Sequence, residues 1–168
     1  DRKHIPKNHI VVLAQGMGAN KTGAVIDLLE GCRGSFLWLT PRRTLAKNII
    51  GRFPTAPTHY GSLNKTEKKT MYLENRLIIG VQSLWHLKPL MSDLDRVKEL
   101  TIVIDEIEIV MCDWMGKTHD VKRHTNWQMF LFLIKNCKQC IVMDAFISKL
   151  SLDTLRALSN DLVIINRT

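Results

Sequence analysis

The stretch "IVVLAQGMGANKTGAVIDLL", residues 10–29, decides the fold. Apolar residues run into a glycine-rich turn, and the turn opens a segment with apolar residues on one helical face, so strand, loop and helix follow in order. Within it, "QGMGANKT" (15–22) nearly matches the phosphate-binding P-loop, G-x-x-x-x-G-K-[ST]. Lys21 and Thr22 are in place, but the two glycines of the pattern would fall where the chain has Gln15 and Asn20. A P-loop works because successive backbone N–H groups, opened by glycine, wrap phosphates at a helix N-terminus. Its lysine reaches the β- and γ-phosphates, and its Ser/Thr hydroxyl binds Mg2+. Asparagine is the non-glycine residue that best tolerates left-handed backbone angles, so Asn20 can keep the shape of the loop. The sequence therefore predicts an ATP site at Gly16, Met17, Gly18, Ala19, Asn20, Lys21 and Thr22, with Thr22 on Mg2+. The alternative is a glycine-rich turn between a strand and a helix.

Five more short runs rich in Val, Ile and Leu follow: "SFLWLT" (35–40), "RLIIGV" (76–81), "LTIVID" (100–105), "QCIVMD" (139–144) and "DLVIIN" (161–166). Nearly continuous apolar runs of this length read as strands buried on both faces. Segments of helical character lie between most of them. "KTGAVIDLLEG" ends at Gly31; "RRTLAKNIIGRF", "SLWHLKPL" and "SKLSLDTLRAL" follow the same logic; "TNWQMFLFLIKN" starts with Thr125 or Asn126 as a cap. Alternating strands and helices predict an α/β fold with a mostly parallel sheet and helices on both faces. Ligands of such sheets bind beyond the carboxyl ends of the strands. The unusual polar residues fall there: the loop 15–22, then Pro41 with Arg42 and Arg43, Gln82 with Ser83, Asp105 with Glu106, and Asp144.

"TIVIDEIEIV" places two adjacent carboxylates at the end of an apolar strand. In P-loop enzymes the first such acid holds Mg2+ and a following Glu can activate water. Asp105 and Glu106, together with Lys21, are therefore the candidate catalytic residues, with Asp105 the second metal ligand. A helix N-terminus that favours acids is the bland reading, and Glu108 fits it.

The chain has 168 residues, of which 45% are apolar and 24% charged, enough for one domain with a sizeable core. Its formal charge of +8 favours an anionic partner, nucleic acid being the commonest. No apolar run reaches the ~18 residues that span a bilayer, so no membrane association is expected. Four cysteines are too sparse for a disulfide framework and point to an intracellular, reducing compartment. Cys137 and Cys140 form a lone C-x-x-C; His119 and His124 could complete a zinc set by number, but buried free thiols are the simpler reading. Trp38, Trp85 and Trp127 read as core. Trp114, near a long basic loop (114–124), reads as core with base stacking as its alternative.

Taken in order, the motifs resemble the first RecA-like domain of a superfamily 2 helicase. "QGMGANKT" is similar to motif I, "LTPRRTLA" (39–46) to motif Ia, "VIDEIE" (103–108) to motif II in a D-E-x-E form, and "VMDAFIS" (142–148) occupies the place of motif III. "GVQSLWHL" (80–87) resembles the strand-end motif that meets nucleic acid. Within the superfamily the resemblance is to the herpesvirus origin-binding proteins and their relatives in other large DNA viruses. It rests on the "MG-x-x-KT" loop, the "RR-x-L", "SL" and "MDA" segments, and the ending "VIINRT".

The resemblance implies a RecA-like P-loop NTPase fold over residues 1–168, as a fragment of a longer protein. It implies ATP and Mg2+ as cofactors, and nucleic-acid contact through Pro41, Arg42, Arg43, Gln82 and Ser83, with DNA favoured over RNA. Asp144 and Ala145 would couple hydrolysis to domain movement, although Phe146 stands where a small residue is usual. The implied partners are a second RecA-like domain, which supplies the arginine finger, and viral replication proteins at the site of viral DNA replication in the host cell. Alone, the chain would turn over very slowly. Two other readings stay open: a catalytically silent nucleic-acid-binding module with a degenerate P-loop, and another P-loop motor such as a DNA-packaging ATPase.

Overall fold

The computed structural model describes residues 5–16, 18–115 and 121–166. Six apolar runs form the strands β1 (Ile10–Ala14), β2 (Phe36–Thr40), β4 (Arg76–Gly80), β5 (Thr101–Asp105), β6 (Gln139–Asp144) and β7 (Leu162–Ile165). A seventh strand, β3 (Thr58–His59), was not anticipated; its two residues pair with Leu77 and Ile78 at the sheet edge and are too few to show a pattern. The sheet order is β3-β4-β2-β5-β6-β1-β7, and every neighbouring pair is parallel. The helices are α1 (Lys21–Cys32), α2 (Arg43–Ile50), α3 (Leu94–Val97), α4 (Ile107–Met115), α5 (Arg123–Asn136) and α6 (Lys149–Leu158).

Two cores result, one on each face of the sheet, because side chains alternate along a strand. Val12, Leu39, Ile79, Ile104 and Val142 enter one core with Val110 of α4, Phe130 of α5 and Leu155 of α6. Their neighbours Val11, Trp38, Ile78, Val103 and Ile141 enter the other with Val25 of α1 and Ile49 of α2. Continuous apolar strands are what such a three-layer arrangement demands. Among the described residues, no helix is long and apolar enough to cross a membrane.

Three local expectations are corrected. Helix α1 runs one residue past Gly31 to Cys32, and Arg33 rather than glycine takes the left-handed position after it, at φ 49°. "SLWHLKPL" lies within a 3₁₀ run, Val81–Ser92, and not in an α-helix. Val81, Leu84, Leu87 and Leu90 are all buried, so the apolar period is three, matching 3.0 residues per turn. Pro89 also lacks the N–H that an α-helix would use there. Finally, α5 begins at Arg123, ahead of the expected cap. Asn126 sits inside the helix, buried, with Oδ1 accepting the Trp85 N–H (2.7 Å) and Nδ2 donating to the Gln82 carbonyl (2.8 Å).

The tryptophans divide differently from the expectation. Trp38 is fully buried and Trp127 is half-buried against the core, whereas Trp85 is half-buried outside it. Trp114 packs against Trp127 and Phe130, at 4.9 and 4.4 Å between centroids.

Candidate nucleotide and nucleic-acid site

The loop after β1 turns through two left-handed residues, Gly18 (φ 84°) and Asn20 (φ 49°), before α1 starts at Lys21. No Cβ contact within 4 Å would be met at Gly16 or Gly18, so backbone N–H groups lie beside open space. No side chain caps the start of α1, and its first turn carries no acidic residue. That end therefore keeps its positive dipole and its N–H donors for an anion. The ammonium of Lys21 bonds the carbonyl of Gln15 and lies 3.4 Å from that of Gly16. Gln15 is buried at the foot of the loop. Met17 lies outside the described residues, as do Lys117 and His119.

Asn20, at the position of the missing glycine, is held from two sides. Its Oδ1 accepts a hydrogen bond from Arg52 Nη2 (2.8 Å), and its side chain fills the space left by Gly23. Neither partner carries a sequence signal, because Arg52 belongs to the turn after α2.

The sheet register brings the acids to the same level. Ala14 of β1 pairs with Asp144 of β6, and Asp105 of β5 pairs with Met143. Burial, then the charge of Glu106 and that of Asp144, push the Asp105 carboxyl up to about 6, against the Glu106 N–H and the Lys21 ammonium, which lower it. Lys21, Asp105, Glu106 and Asp144 thus share one electrostatic neighbourhood. Glu106 has φ 54°, a left-handed conformation costly for a residue with a long side chain. Its N–H donates to the Met143 carbonyl (3.0 Å), and its own carbonyl accepts the Ile109 N–H (3.0 Å), so the chain turns there from β5 into α4.

Asp144 stitches this corner together. Its Oδ2 accepts the Glu108 N–H (3.1 Å) and its Oδ1 those of Ala145 (2.7 Å) and Phe146 (3.3 Å). Glu108 returns the contact, accepting the Ser148 N–H at 2.8 Å. Phe146 is 73% exposed and joins this corner through its backbone N–H.

A second depression, a cavity of about 140 Å³, opens beyond the ends of β2, β3 and β4. Pro41, Arg43, Gln82 and Ser83 line it together with His59 and Tyr60. Arg42, expected with them, is not among the lining residues; it is exposed at the start of α2, and its carbonyl accepts the Thr40 hydroxyl (3.2 Å). Burial first, then the charges of Lys47 and Arg43, hold the His59 imidazole below its ordinary value. Gln82 also donates through Nε2 to Asp113 Oδ2 at 3.0 Å. His59 and Tyr60 were missed because one ends and the other follows β3, the edge strand that the sequence did not reveal.

The oxygen donors Thr22 and Asp105 suit a hard divalent cation such as Mg2+, and the uncapped loop suits a polyphosphate. Cys137 is a buried thiol pushed up to about 12 by burial; its Sγ donates to the Ile134 carbonyl at 3.3 Å and lies 3.8 Å from His9 Nε2. Cys140 is buried and its thiol too is held well above its ordinary value by burial, while Cys32 and Cys112 are exposed. Among the described residues no group of three or more His, Cys, Asp or Glu could hold a metal.

The family described as "Origin of replication binding protein" matches residues 3–166. The chain is 30% identical over 149 residues to the Acanthamoeba polyphaga mimivirus protein named "Putative replication origin-binding protein", covering 82% of this chain and 18% of that protein. It is 26% identical over 146 residues to the replication origin-binding protein of human herpesvirus 7, covering 86% of this chain and 17% of that protein. The chain thus spans less than a fifth of either relative. Among solved structures it superposes on a hypothetical ATP-dependent RNA helicase from Sulfolobus tokodaii with a TM-score of 0.68 at 17% identity, over 98% of this chain and 51% of that one. A DEAD box protein from Methanococcus jannaschii gives 0.65 at 18%, over 96% and 46%. With its all-parallel sheet and the fold of those RecA-like helicase domains, the chain belongs to the origin of replication binding protein family.

Proposed function

We propose that this chain is the ATP-binding motor domain of a superfamily 2 DNA helicase, in which ATP hydrolysis drives movement along nucleic acid during viral replication. One observation carries the reading: the loop at Lys21, the acids Asp105 and Glu106, and the pocket at Arg43 and Ser83 all open on the same rim of one sheet. In this reading ATP with Mg2+ supplies the phosphoryl group that is lost to water. Gly16, Gly18 and their neighbours present N–H groups to the phosphates, and Lys21 leaves its two carbonyls to meet them. Thr22 and Asp105 hold the cation. Glu106 orients and polarises the attacking water. Arg43 and Ser83 grip the strand's phosphates, which positions the protein without reading sequence.

Asp144 and Ala145 connect the catalytic corner to α6, the route by which hydrolysis would reach a partner domain. That partner is a second RecA-like domain, which would supply the arginine finger, worth on the order of 10³–10⁵ in rate for related enzymes. The reading places the protein with viral replication proteins at the site of genome copying.

The test measures ATP binding and hydrolysis with Mg2+, with and without single-stranded DNA, beside Lys21→Ala and Glu106→Gln. DNA-stimulated hydrolysis lost in both variants supports the motor. Binding of DNA without any binding of nucleotide overturns it. That second outcome would favour a silent nucleic-acid-binding module, the reading that Asn20 in place of glycine favours.

A further inference from the structure

A row of side chains, none of them among the contacts assigned to Gln82 and Ser83 of "GVQSLWHL", leads away from the strand pocket. Tyr60, which lines the pocket, has its Oη 3.2 Å from His86 Nε2. His86 stacks on Trp85, with centroids 3.6 Å apart and planes 27° apart. Lys68 Nζ lies 4.4 Å from the centroid of the Tyr60 ring, and Lys122 Nζ lies 4.3 Å from that of Trp85. The five form one line: Lys68, Tyr60, His86, Trp85, Lys122. All three rings are half-buried, so each keeps some surface in solvent. The row is also braced, since the Trp85 N–H is held by the buried Asn126, which also holds the Gln82 carbonyl.

Its electrostatics point outward. Burial, then Lys68 and Lys122, hold the His86 imidazole below its ordinary value. Two ammonium groups converge on a neutral imidazole between aromatic rings, the reverse of what a self-sufficient surface cluster would select. Such a surface is complementary to a ligand that is planar and aromatic in one part and anionic in the next.

We propose that this row is a base-stacking site for single-stranded DNA, in which an unpaired base lies against the Tyr60–His86–Trp85 rings and Lys68 and Lys122 take the flanking phosphates. The site rests on the reading of the Arg43–Ser83 pocket as the seat of the strand's backbone. A phosphate attracts an ammonium more strongly than a ring face does, so an arriving strand draws the lysines off the rings and opens those faces to a base. Stacking of this kind tolerates any base, because every base has a π-face. It also requires the base to be unpaired, which phosphate contacts alone do not.

The test uses a fluorescein-labelled 15-nucleotide oligothymidine, followed by anisotropy across a salt series. Trp85→Ala should weaken binding about tenfold with the salt slope unchanged, and Trp85→Phe should keep most of the affinity. Lys68→Ala with Lys122→Ala should lower the slope of log affinity against log salt by about 1.4, at about 0.7 per phosphate contact on a single strand. A blunt duplex of the same length should be indifferent to Trp85→Ala. Arg43→Ala serves as the marker of the pocket, and thermal melts confirm that each variant is folded. If Arg43→Ala weakens binding but the Trp85 and lysine variants bind as the parent does, the stacking site is refuted and the pocket stands. If Arg43→Ala is also without effect, or the parent does not bind, the pocket reading fails and the stacking site with it. Equal sensitivity of duplex and single strand to Trp85→Ala overturns stacking as the mode.

Discussion

Arg52 Nη2 donates a hydrogen bond to Asn20 Oδ1 across 2.8 Å and 32 positions of sequence. The same Asn20 side chain occupies the space where a Cβ on Gly23 would stand, 2.5 Å from Oδ1 and 2.6 Å from Nδ2. The asparagine that replaces the P-loop glycine is thus matched by a glycine three residues later and an arginine beyond α2. The loop keeps its left-handed turn around the asparagine.

Gly23→Ala should show a change of sign with background. In an isolated helix, alanine is better than glycine by up to ~1 kcal/mol. Here it should lower the melting temperature and weaken binding of a fluorescent ATP analogue, because Asn20 must move. In an Asn20→Gly background the same substitution should stabilise. Arg52→Ala should weaken nucleotide binding by a factor of about five, roughly 1 kcal/mol for one lost hydrogen bond, and should have no such effect once Asn20 is glycine. A double-mutant cycle with equal, additive effects in both backgrounds would dissolve the trio.

Lys21→Ala and Glu106→Gln should separate binding from chemistry. The first should abolish nucleotide binding in an equilibrium titration. The second should leave binding within a few-fold of the parent and cut hydrolysis on the order of 10²–10⁴, the range of general acid–base catalysis. Comparable losses of affinity in both would place Glu106 in the binding site and not in the chemistry.

The raised pKa of Asp105 makes a stability prediction for the free protein. Its native value of about 6 exceeds the ordinary 3.8, so folding favours the protonated form. The destabilisation from its charge is therefore complete above pH 6, shrinks as pH falls through 6, and is gone below 3.8. About two pH units correspond to about 3 kcal/mol. Asp105→Asn should raise the melting temperature at pH 7–8, with a gain that fades toward pH 4. The same substitution should remove the dependence of nucleotide binding on Mg2+, and in the parent that dependence should weaken below about pH 6. A melting gain that is flat across this range would contradict burial as the cause.

What the sequence made legible, and what it did not, follows from the range of each interaction. Five of the longer strands announce themselves because burial on both faces forces continuous apolar runs, and the edge strand β7 does so by its run of Leu, Val and Ile alone. The polar strand ends do so because they interrupt those runs. β3 has two residues and no face to repeat. The 3₁₀ segment did carry its signal, the spacing of Val81, Leu84, Leu87 and Leu90, but a search at helical period passes over a period of three. Asn126 reads locally as a helix cap, and only the distant backbone of Trp85 and Gln82 makes it a buried brace. Arg52 is invisible for the same reason: its partner is defined by tertiary structure. The candidate site residues that stand in motifs carry a local signal; Arg52 and Asn126, which hold those segments in place, do not.

Asp144→Ala should reveal the seam between the catalytic corner and α6. It strips the acceptor from three backbone N–H groups, those of Glu108, Ala145 and Phe146. The expected cost is about 2–3 kcal/mol of stability, read by denaturant titration. It also removes one of the charges that raise Asp105. If the corner couples hydrolysis to the strand, stimulation by single-stranded DNA should fall further than the unstimulated rate; a proportional fall in both would make Asp144 a purely structural tie.

The distribution of thiols gives the native chain a pair of optical handles. Maleimides react with thiolates, and Cys137 and Cys140 are buried with their ionisation suppressed. Cys32 and Cys112 are exposed. Cys32 closes α1, about 18 Å along the helix from the phosphate loop that opens it. Cys112 precedes Asp113, the residue that holds the amide of Gln82 beside the strand pocket. A dye on Cys112 would sit one residue from the Asp113–Gln82 contact and a dye on Cys32 at the far end of α1 from the phosphate loop, with Cys32→Ser and Cys112→Ser separating the two signals.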